Sequence, residues 1–125
     1  MTAKTKISSI SICLALSLAT APVFAHHSLA MYDMTNPVTV RGVVERLEWT
    51  NPHAYVYVDV RNRKGAVEKW TIEMDRPEFL QQNGWTRNTV KPGDVIACTG
   101  GPAKSGAKTM RCTTVELASG EKLRS

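Results

Sequence analysis

The chain contains three histidines, His26, His27 and His53, whose positions suggest a metal site. In a mature chain that begins at His26, the α-amine and the Nδ1 atom of that residue would chelate one ion together. The imidazole of His53 would then complete a set of three nitrogen ligands. Nitrogen ligands of this kind suit Cu(II), and thioethers suit Cu(I), so Met31 and Met34 are further candidate ligands.

A secretory signal at the start of the chain would expose His26. Two lysines precede an apolar run over residues 10–19, which is too short to span a bilayer. Val23 and Ala25 then occupy the −3 and −1 positions of a signal peptidase site. The sequence therefore predicts that residues 1–25 are removed and that the mature protein is periplasmic or secreted.

Size and charge limit what the mature chain can be. Removal of 25 of the 125 residues leaves 100, which is enough for one domain. The formal net charge falls from +5 to +3, because the two lysines leave with the signal. The run Arg61-Asn62-Arg63-Lys64 is typical of a solvated turn, and no second apolar run is long enough for a membrane. We expect no nucleic-acid partner and no membrane span.

Two cysteines, Cys98 and Cys112, remain after Cys13 is removed with the signal. An even number of cysteines in an oxidising compartment predicts a disulfide. The pair lies symmetrically about Ser105, so a hairpin would place the two residues opposite each other. A redox-active pair is the alternative, although the spacing is not Cys-x-x-Cys.

Alternating apolar residues predict five strands. Residues 38–49 are long for one strand, and the apolar parity shifts after Gly42, which indicates a bulge or bend at that glycine. The other predicted strands cover residues 54–60, 70–74, 95–99 and 108–117.

One short helix is predicted between the third and fourth strands. Asp75 can cap its N-terminus, Pro77 suits its first turn, and Glu78 follows the cap by three residues. Gly84 can end it.

The order β-β-β-α-β-β predicts an all-β protein with one short helix, folded as a five-stranded OB-like barrel. The bent first strand could serve both ends of a closed sheet, and an open meander with a packed helix is the alternative. We divide the chain into a signal peptide (1–25), an N-terminal arm (26–37) and the barrel (38–125). The predicted core comprises Val44, Leu47, Val56, Val58, Ile72, Ile96 and Val115.

A ligand face is also predicted on the second strand. Tyr55 and Tyr57 share one side of it, with Trp49 close before them, and OB proteins often bind ligands there. A half-buried strand face normally contains the same residue types. The sequence has no Gly-x-Ser-x-Gly motif and no glycine-rich phosphate loop, so no catalytic residue is assigned.

The sequence resembles domain-of-unknown-function family 6152, a group of small exported bacterial proteins of unassigned activity. The resemblance covers essentially the whole mature chain, and it implies export, one domain and a β-rich fold, but no biochemical function. It is carried by His26-His27-Ser28 with Ala30, Tyr32 and Asp33; by Gly42 and Val44; by Trp49, Asn51, Pro52 and His53; by Gly84-Trp85; and by Lys91-Pro92-Gly93-Asp94.

The expected function is metal binding, with copper as the expected ion, by a small periplasmic protein that uses His26, His27 and His53. One alternative is a metal-free OB-like module that binds a small envelope ligand or a periplasmic protein. A third hypothesis is a copper redox enzyme with a site like the histidine brace. The histidines are also compatible with a purely structural role.

Overall fold

The computed structural model of the protein describes residues 29–125. The predicted signal peptide, His26 and His27 lie outside the described residues. A short 3-10 helix at Leu29–Met31 comes first. The elements that follow are β1 (Val38–Glu48), β2 (Tyr55–Arg61), β3 (Val67–Glu73), α1 (Pro77–Gln82), β4 (Val95–Pro102), β5 (Thr109–Glu116) and β6 (Lys122–Arg124).

The first strand is long because it has two partners. Its first half, Val38–Val43, pairs with β4, and its second half, Val43–Glu48, pairs with β2, both antiparallel. Parallel pairing of β3 with β5 closes a five-stranded barrel, and β6 adds a further strand beside β5. The predicted OB-like class, all-β with one short helix, is confirmed.

The barrel interior holds the core. Six of the seven predicted core residues are buried, and Leu47 is partly buried against them. On β2, the alternation places Val56 and Val58 inside, and it leaves Tyr55 and Tyr57 half-buried on the outer face.

The sequence predicted a bulge or a bend at Gly42, and of these two the bulge is wrong. Gly42 pairs regularly with Ile96, and the register of β1 shifts instead between Val44 and Arg46. A Cβ at residue 42 would lie 2.7 Å from the carbonyl oxygen of Asp59. Glycine is therefore required here by the close approach of the neighbouring strand.

The helix forms where predicted, but Asp75 does not cap it. The N-cap position of α1 is Arg76, and no side chain caps the helix by a hydrogen bond. The Oδ2 atom of Asp75 lies 3.0 Å from Nη2 of Arg111, so an ion pair engages this carboxylate instead. Pro77 begins the helix, as predicted, and no helix within residues 29–125 is long and apolar enough to cross a membrane.

The predicted register of the cysteines is also wrong. Cys98 pairs with Val115 and Cys112 pairs with Gly100, because the β4–β5 hairpin is centred on Gly106 and not on Ser105, and a register shift after Thr99 adds to the offset. Both residues are buried as thiols. A hydrogen bond with the Cys112 thiol, together with burial, raises the pKa of Cys98. The disulfide between Cys98 and Cys112 stays a prediction.

Candidate functional site

Polar side chains meet on the outer face of the barrel where β3 pairs with its neighbours. Glu73 stands opposite Tyr55 of β2 and beside Arg111 of β5. One residue earlier on each strand, Ile72 and Met110 are fully buried in the core. Because side chains alternate along a strand, Glu73 and Arg111 lie on the outer face, and Nη1 of Arg111 is 3.8 Å from Oε1 of Glu73.

The N-terminal arm covers this carboxylate. The hydroxyl of Tyr32 donates a hydrogen bond of 2.7 Å to Oε2 of Glu73, and Tyr32 is only 4% exposed. The backbone of the arm is fixed to the end of β4, where the amide of Asp33 donates to the carbonyl of Pro102 at 2.9 Å. Glu73 is consequently 3% exposed, although it projects from the outside of the barrel.

The phenol of Tyr32 is held in its protonated form. Burial, followed by the hydrogen bond to Glu73, raises the pKa of Tyr32 from its usual value of 10.0 to about 12. The hydroxyl therefore remains a donor to the carboxylate at neutral pH, and the contact is a charge-assisted hydrogen bond.

His53 borders the same carboxylate. Its Nδ1 atom lies 3.1 Å from the carbonyl oxygen of Met74, whereas its Nε2 atom lies 3.7 Å from Oε1 of Glu73. A proton on Nδ1 would donate to the carbonyl, and the lone pair of Nε2 would then face the carboxylate, on a side chain that is 25% exposed. A proton on Nε2 would instead face the carboxylate and leave Nδ1 to accept from the guanidinium of Arg111, 3.3 Å away.

Arg111 ties these groups together. Its Nη1 atom donates to the carbonyl of Met74 and lies 3.3 Å from Nδ1 of His53. Its Nη2 atom pairs with Asp75 at 3.0 Å. The guanidinium thereby holds the chain just after β3 against β5, and it partly balances the charges of Glu73 and Asp75.

Sequence reasoning found His53 but missed Tyr32, Glu73 and Arg111 as parts of this site. Alternation along β3 would have placed Glu73 outside the barrel. Alternation would not have shown that the arm covers Glu73, because the contact between Tyr32 and Glu73 joins residues 41 positions apart.

The predicted methionine ligands lie on the arm. Met31 and Met34 are among the exposed hydrophobic residues. The backbone carbonyl of Met31 accepts a hydrogen bond from the amide of Lys104 at 2.9 Å. A side chain at Gly101 would collide with the sulfur of Met34, so this thioether packs over the backbone of β4.

The predicted ligand face is partly occupied by the chain itself. The guanidinium of Arg46 stacks on the ring of Tyr57 at 3.6 Å from its centroid, and the Tyr57 hydroxyl donates to Glu48 at 3.1 Å. Tyr55 extends the same surface towards Glu73. Trp49 is partly buried and packs against the core.

Within residues 29–125, no three histidine, cysteine or carboxylate side chains converge as ligands of one metal ion. Of the three predicted histidine ligands, the described part of the chain includes His53, whereas His26 and His27 lie outside it. A complete site of the predicted kind therefore requires the mature N-terminus.

The closed barrel places the protein in the class of small OB-like proteins. A model of a family of unknown function, DUF6152, matches residues 14–111, and the chain belongs to that family. No curated protein matches this chain.

Among solved structures, the ZRD-deleted mutant of TiaS in complex with agmatine is similar to 68% of this chain, with 14% sequence identity and a TM-score of 0.49. The similar part is 22% of that chain, so the present chain spans well under two thirds of it.

Proposed function

We propose that the protein is exported to the periplasm and binds copper there, through the α-amine and imidazole of His26 and the imidazole of His53. His27 is the weaker of the three candidate ligands, because adjacent rings cannot easily face one ion while the terminal amine also binds it.

The observation that carries the proposal is the orientation of the His53 ring. Metal-binding histidines usually donate their second N–H to a carbonyl or carboxylate, which fixes the ring and leaves the other nitrogen for the metal. With a proton on Nδ1, the 3.1 Å contact between Nδ1 of His53 and the Met74 carbonyl would be such a contact. The lone pair of Nε2 would then face the carboxylate of Glu73 at 3.7 Å, an arrangement that a cation between them would stabilise.

The position of Tyr32 supports the participation of the N-terminus. Both Tyr32 and His53 border Glu73, so the arm passes beside the candidate ligand. Leu29–Met31 form a 3-10 helix, so three residue steps lead from Leu29 back to His26, and they reach about 10 Å when extended. The proposal requires these three steps to bring the terminal amine to His53 while Tyr32 keeps its contacts.

Copper titration of the processed protein tests the proposal. The full chain would be expressed with its own signal, purified from the periplasm and sequenced from its N-terminus, with His26 expected first. Cu(II) affinity would then be measured by competition with a chelator of known affinity. An alanine added before His26 should weaken binding by at least about tenfold, and His53→Ala should do so separately. His27→Ala is the matched control, with a smaller expected loss.

Three results would contradict the proposal. The first is a mature terminus elsewhere than His26, which would remove the chelating amine. The second is a retained signal. The third is a Cu(II) affinity that neither the alanine extension nor His53→Ala changes.

In a copper enzyme, the loaded protein would also turn over oxygen when a reductant is supplied.

A second candidate function is binding of an envelope protein on the outer face of β1 and β2. The Arg46–Tyr57 stack favours it, since arginine and tyrosine are enriched among the residues that dominate interface energies. A photoreactive residue at position 57 should crosslink a partner of defined mass in the periplasm. The same residue at the exposed Val67 should not. Equal labelling from both positions would contradict this function.

A further inference from the structure

We propose that one end of the barrel docks on an anionic phospholipid surface. This basic end comprises residues 61–68, which include the β2–β3 turn, the β4–β5 loop (103–108) and the described part of the arm (29–37). His53 lies in the β1–β2 loop at the opposite end of the barrel, so lipid docking is independent of copper binding.

The strand topology brings these three segments together. β3 and β5 are parallel, so the two connections that lead into them lie at the same end of the barrel. An ion pair of 3.2 Å between Nζ of Lys108 and Oε2 of Glu68 joins the β4–β5 loop to the start of β3. The arm lies here as well, because the carbonyl of Met31 accepts a hydrogen bond from the amide of Lys104 at 2.9 Å.

Cations dominate the basic end. Its three segments contain two carboxylates, Asp33 and Glu68, and five cations. The cations are Arg61, Arg63, Lys64, Lys104 and Lys108. Among the carboxylates of residues 29–125, only Glu68 forms an ion pair with one of these cations, Lys108. The other four cations are therefore available to an anionic partner.

The opposite end of the barrel has the reverse balance. It is formed by residues 49–54, 74–94 and 117–121, which contain three cations and four carboxylates. An anionic surface would therefore attract the basic end and turn the other end away from itself.

Asn62 fixes the turn that carries two of the cations. Its Oδ1 atom accepts the amide of Lys64 at 2.9 Å, and the guanidinium of Arg61 donates to the carbonyl of Gly65 at 2.8 Å. Arg63 and Lys64 are exposed in this turn. Because the turn is already ordered, little backbone entropy is lost when it meets a partner.

Exposed apolar side chains also gather at the basic end. Seven large hydrophobic side chains are exposed within residues 29–125, and five of them lie on the arm or begin a strand at this end. These five are Leu29, Met31, Met34, Val38 and Val67. Val67 begins β3 directly after the turn and is 55% exposed.

This combination of cations and apolar side chains indicates a lipid surface as the partner. In interfacial binding, lysines and arginines attract anionic headgroups, and apolar side chains enter the boundary between headgroups and acyl chains. A protein interface usually gathers its apolar residues into a core with a polar rim. At the basic end the apolar residues are instead spread among the cations, over the arm and the starts of two strands.

Cosedimentation with vesicles tests the proposal. Protein expressed from the full chain would be mixed with vesicles of phosphatidylglycerol and phosphatidylcholine in equal parts, or of phosphatidylcholine alone. We expect binding to the anionic vesicles that weakens as ionic strength rises, because salt screens exposed charges. Vesicles of phosphatidylcholine alone should bind far less.

Two matched pairs of variants locate the docking face. Arg63→Gln with Lys64→Gln should weaken binding to the anionic vesicles by about 25-fold, since each basic residue near the surface contributes about fivefold. Arg87→Gln with Lys91→Gln makes the same change in net charge at the opposite end and should cost less than about threefold.

The second pair tests the apolar contact. Val67 and Val95 are both exposed first residues of strands, at opposite ends of the barrel. Val67→Thr should weaken binding by about threefold, because a buried methyl group is replaced by a hydroxyl, and Val95→Thr should not. The chain before Leu29 is the same in every variant, so it does not affect these comparisons.

Four results would overturn the proposal. Equal losses in the two charge variants would show attraction by net charge without a docking face. Equal affinity of the two threonine variants would show adsorption without an apolar contact. Equal binding to both kinds of vesicle would exclude recognition of anionic lipid. Binding to neither would remove the lipid surface as partner and leave an acidic protein as the occupant of the basic end.

Discussion

The hydroxyl of Tyr32 and the carboxylate of Glu73 are joined by a 2.7 Å hydrogen bond across 41 residues of sequence. The contact makes the described part of the arm a component of the folded structure. It also buries a carboxylate on the outside of a barrel, where solvent would otherwise reach it. The energetic consequences of this contact can be measured with or without a metal.

The first prediction concerns alkaline pH. The pKa of Tyr32 is raised from 10.0 to about 12, so the folded state favours the protonated phenol. This contribution to stability is complete below about pH 10, and it is lost as the pH rises towards 12. The stability advantage of wild type over Tyr32→Phe should therefore shrink by up to about 3 kcal/mol across that interval. Urea unfolding of both proteins at several pH values measures this difference in the free energy of unfolding. A difference that stays constant from pH 10 to pH 12 would contradict the prediction.

The second prediction concerns Arg111, which is 11% exposed. Arg111→Leu leaves Glu73 buried without its cation, and we expect it to lower the free energy of unfolding by about 3 kcal/mol. Adding Glu73→Gln to this variant should recover part of the loss. The control is Lys122→Leu, which breaks the exposed pair with Glu116 and should cost less than about 1 kcal/mol. Equal losses in the two single variants would show that the ion pairs of Arg111 with Glu73 and Asp75 contribute no more to stability than an exposed pair.

The third prediction tests the barrel core with two matched valines. Val58 is 1% exposed on β2, and Val67 is 55% exposed at the start of β3. Val58→Ala removes buried methyl groups and should destabilise the protein by about 1–3 kcal/mol. Val67→Ala should change stability by less than about 0.5 kcal/mol. Chemical denaturation checks both values, and similar values would place Val58 outside the core.

The fourth prediction concerns Cys98 and Cys112, which are both buried as thiols on the adjacent strands β4 and β5. Protein purified from the periplasm should contain a bond between them, so thiol labelling after denaturation without reductant should find neither free. Closing this loop stabilises the chain by about 3 kcal/mol on the chain-entropy model. Reductant should lower the melting temperature of wild type and leave that of Cys98→Ala unchanged. Quantitative labelling of both cysteines would show that they remain thiols.

Much of the barrel was predictable from the sequence, because local patterns determine local structure. Alternation identified the inward side chains of β2, among them Val56 and Val58, which the barrel buries. The proline at position 77 marked the start of the helix. These features depend on periodicity and backbone chemistry, which neighbouring residues already specify.

Register and long-range contact were decided only by the tertiary structure. A hairpin centred on Gly106, together with the shift at Thr99–Gly100, places Cys98 out of register with Cys112, and the bulge of β1 lies beyond Gly42, since both depend on which strand pairs where. From the sequence, Asp75 was a suitable helix cap. Only the packing of β5 shows that its carboxylate pairs with Arg111 instead. Alone, the sequence determined which residue types alternate and where turns fall. Closure of the barrel decided which charges meet, because contacts between distant segments exist only once the chain has folded.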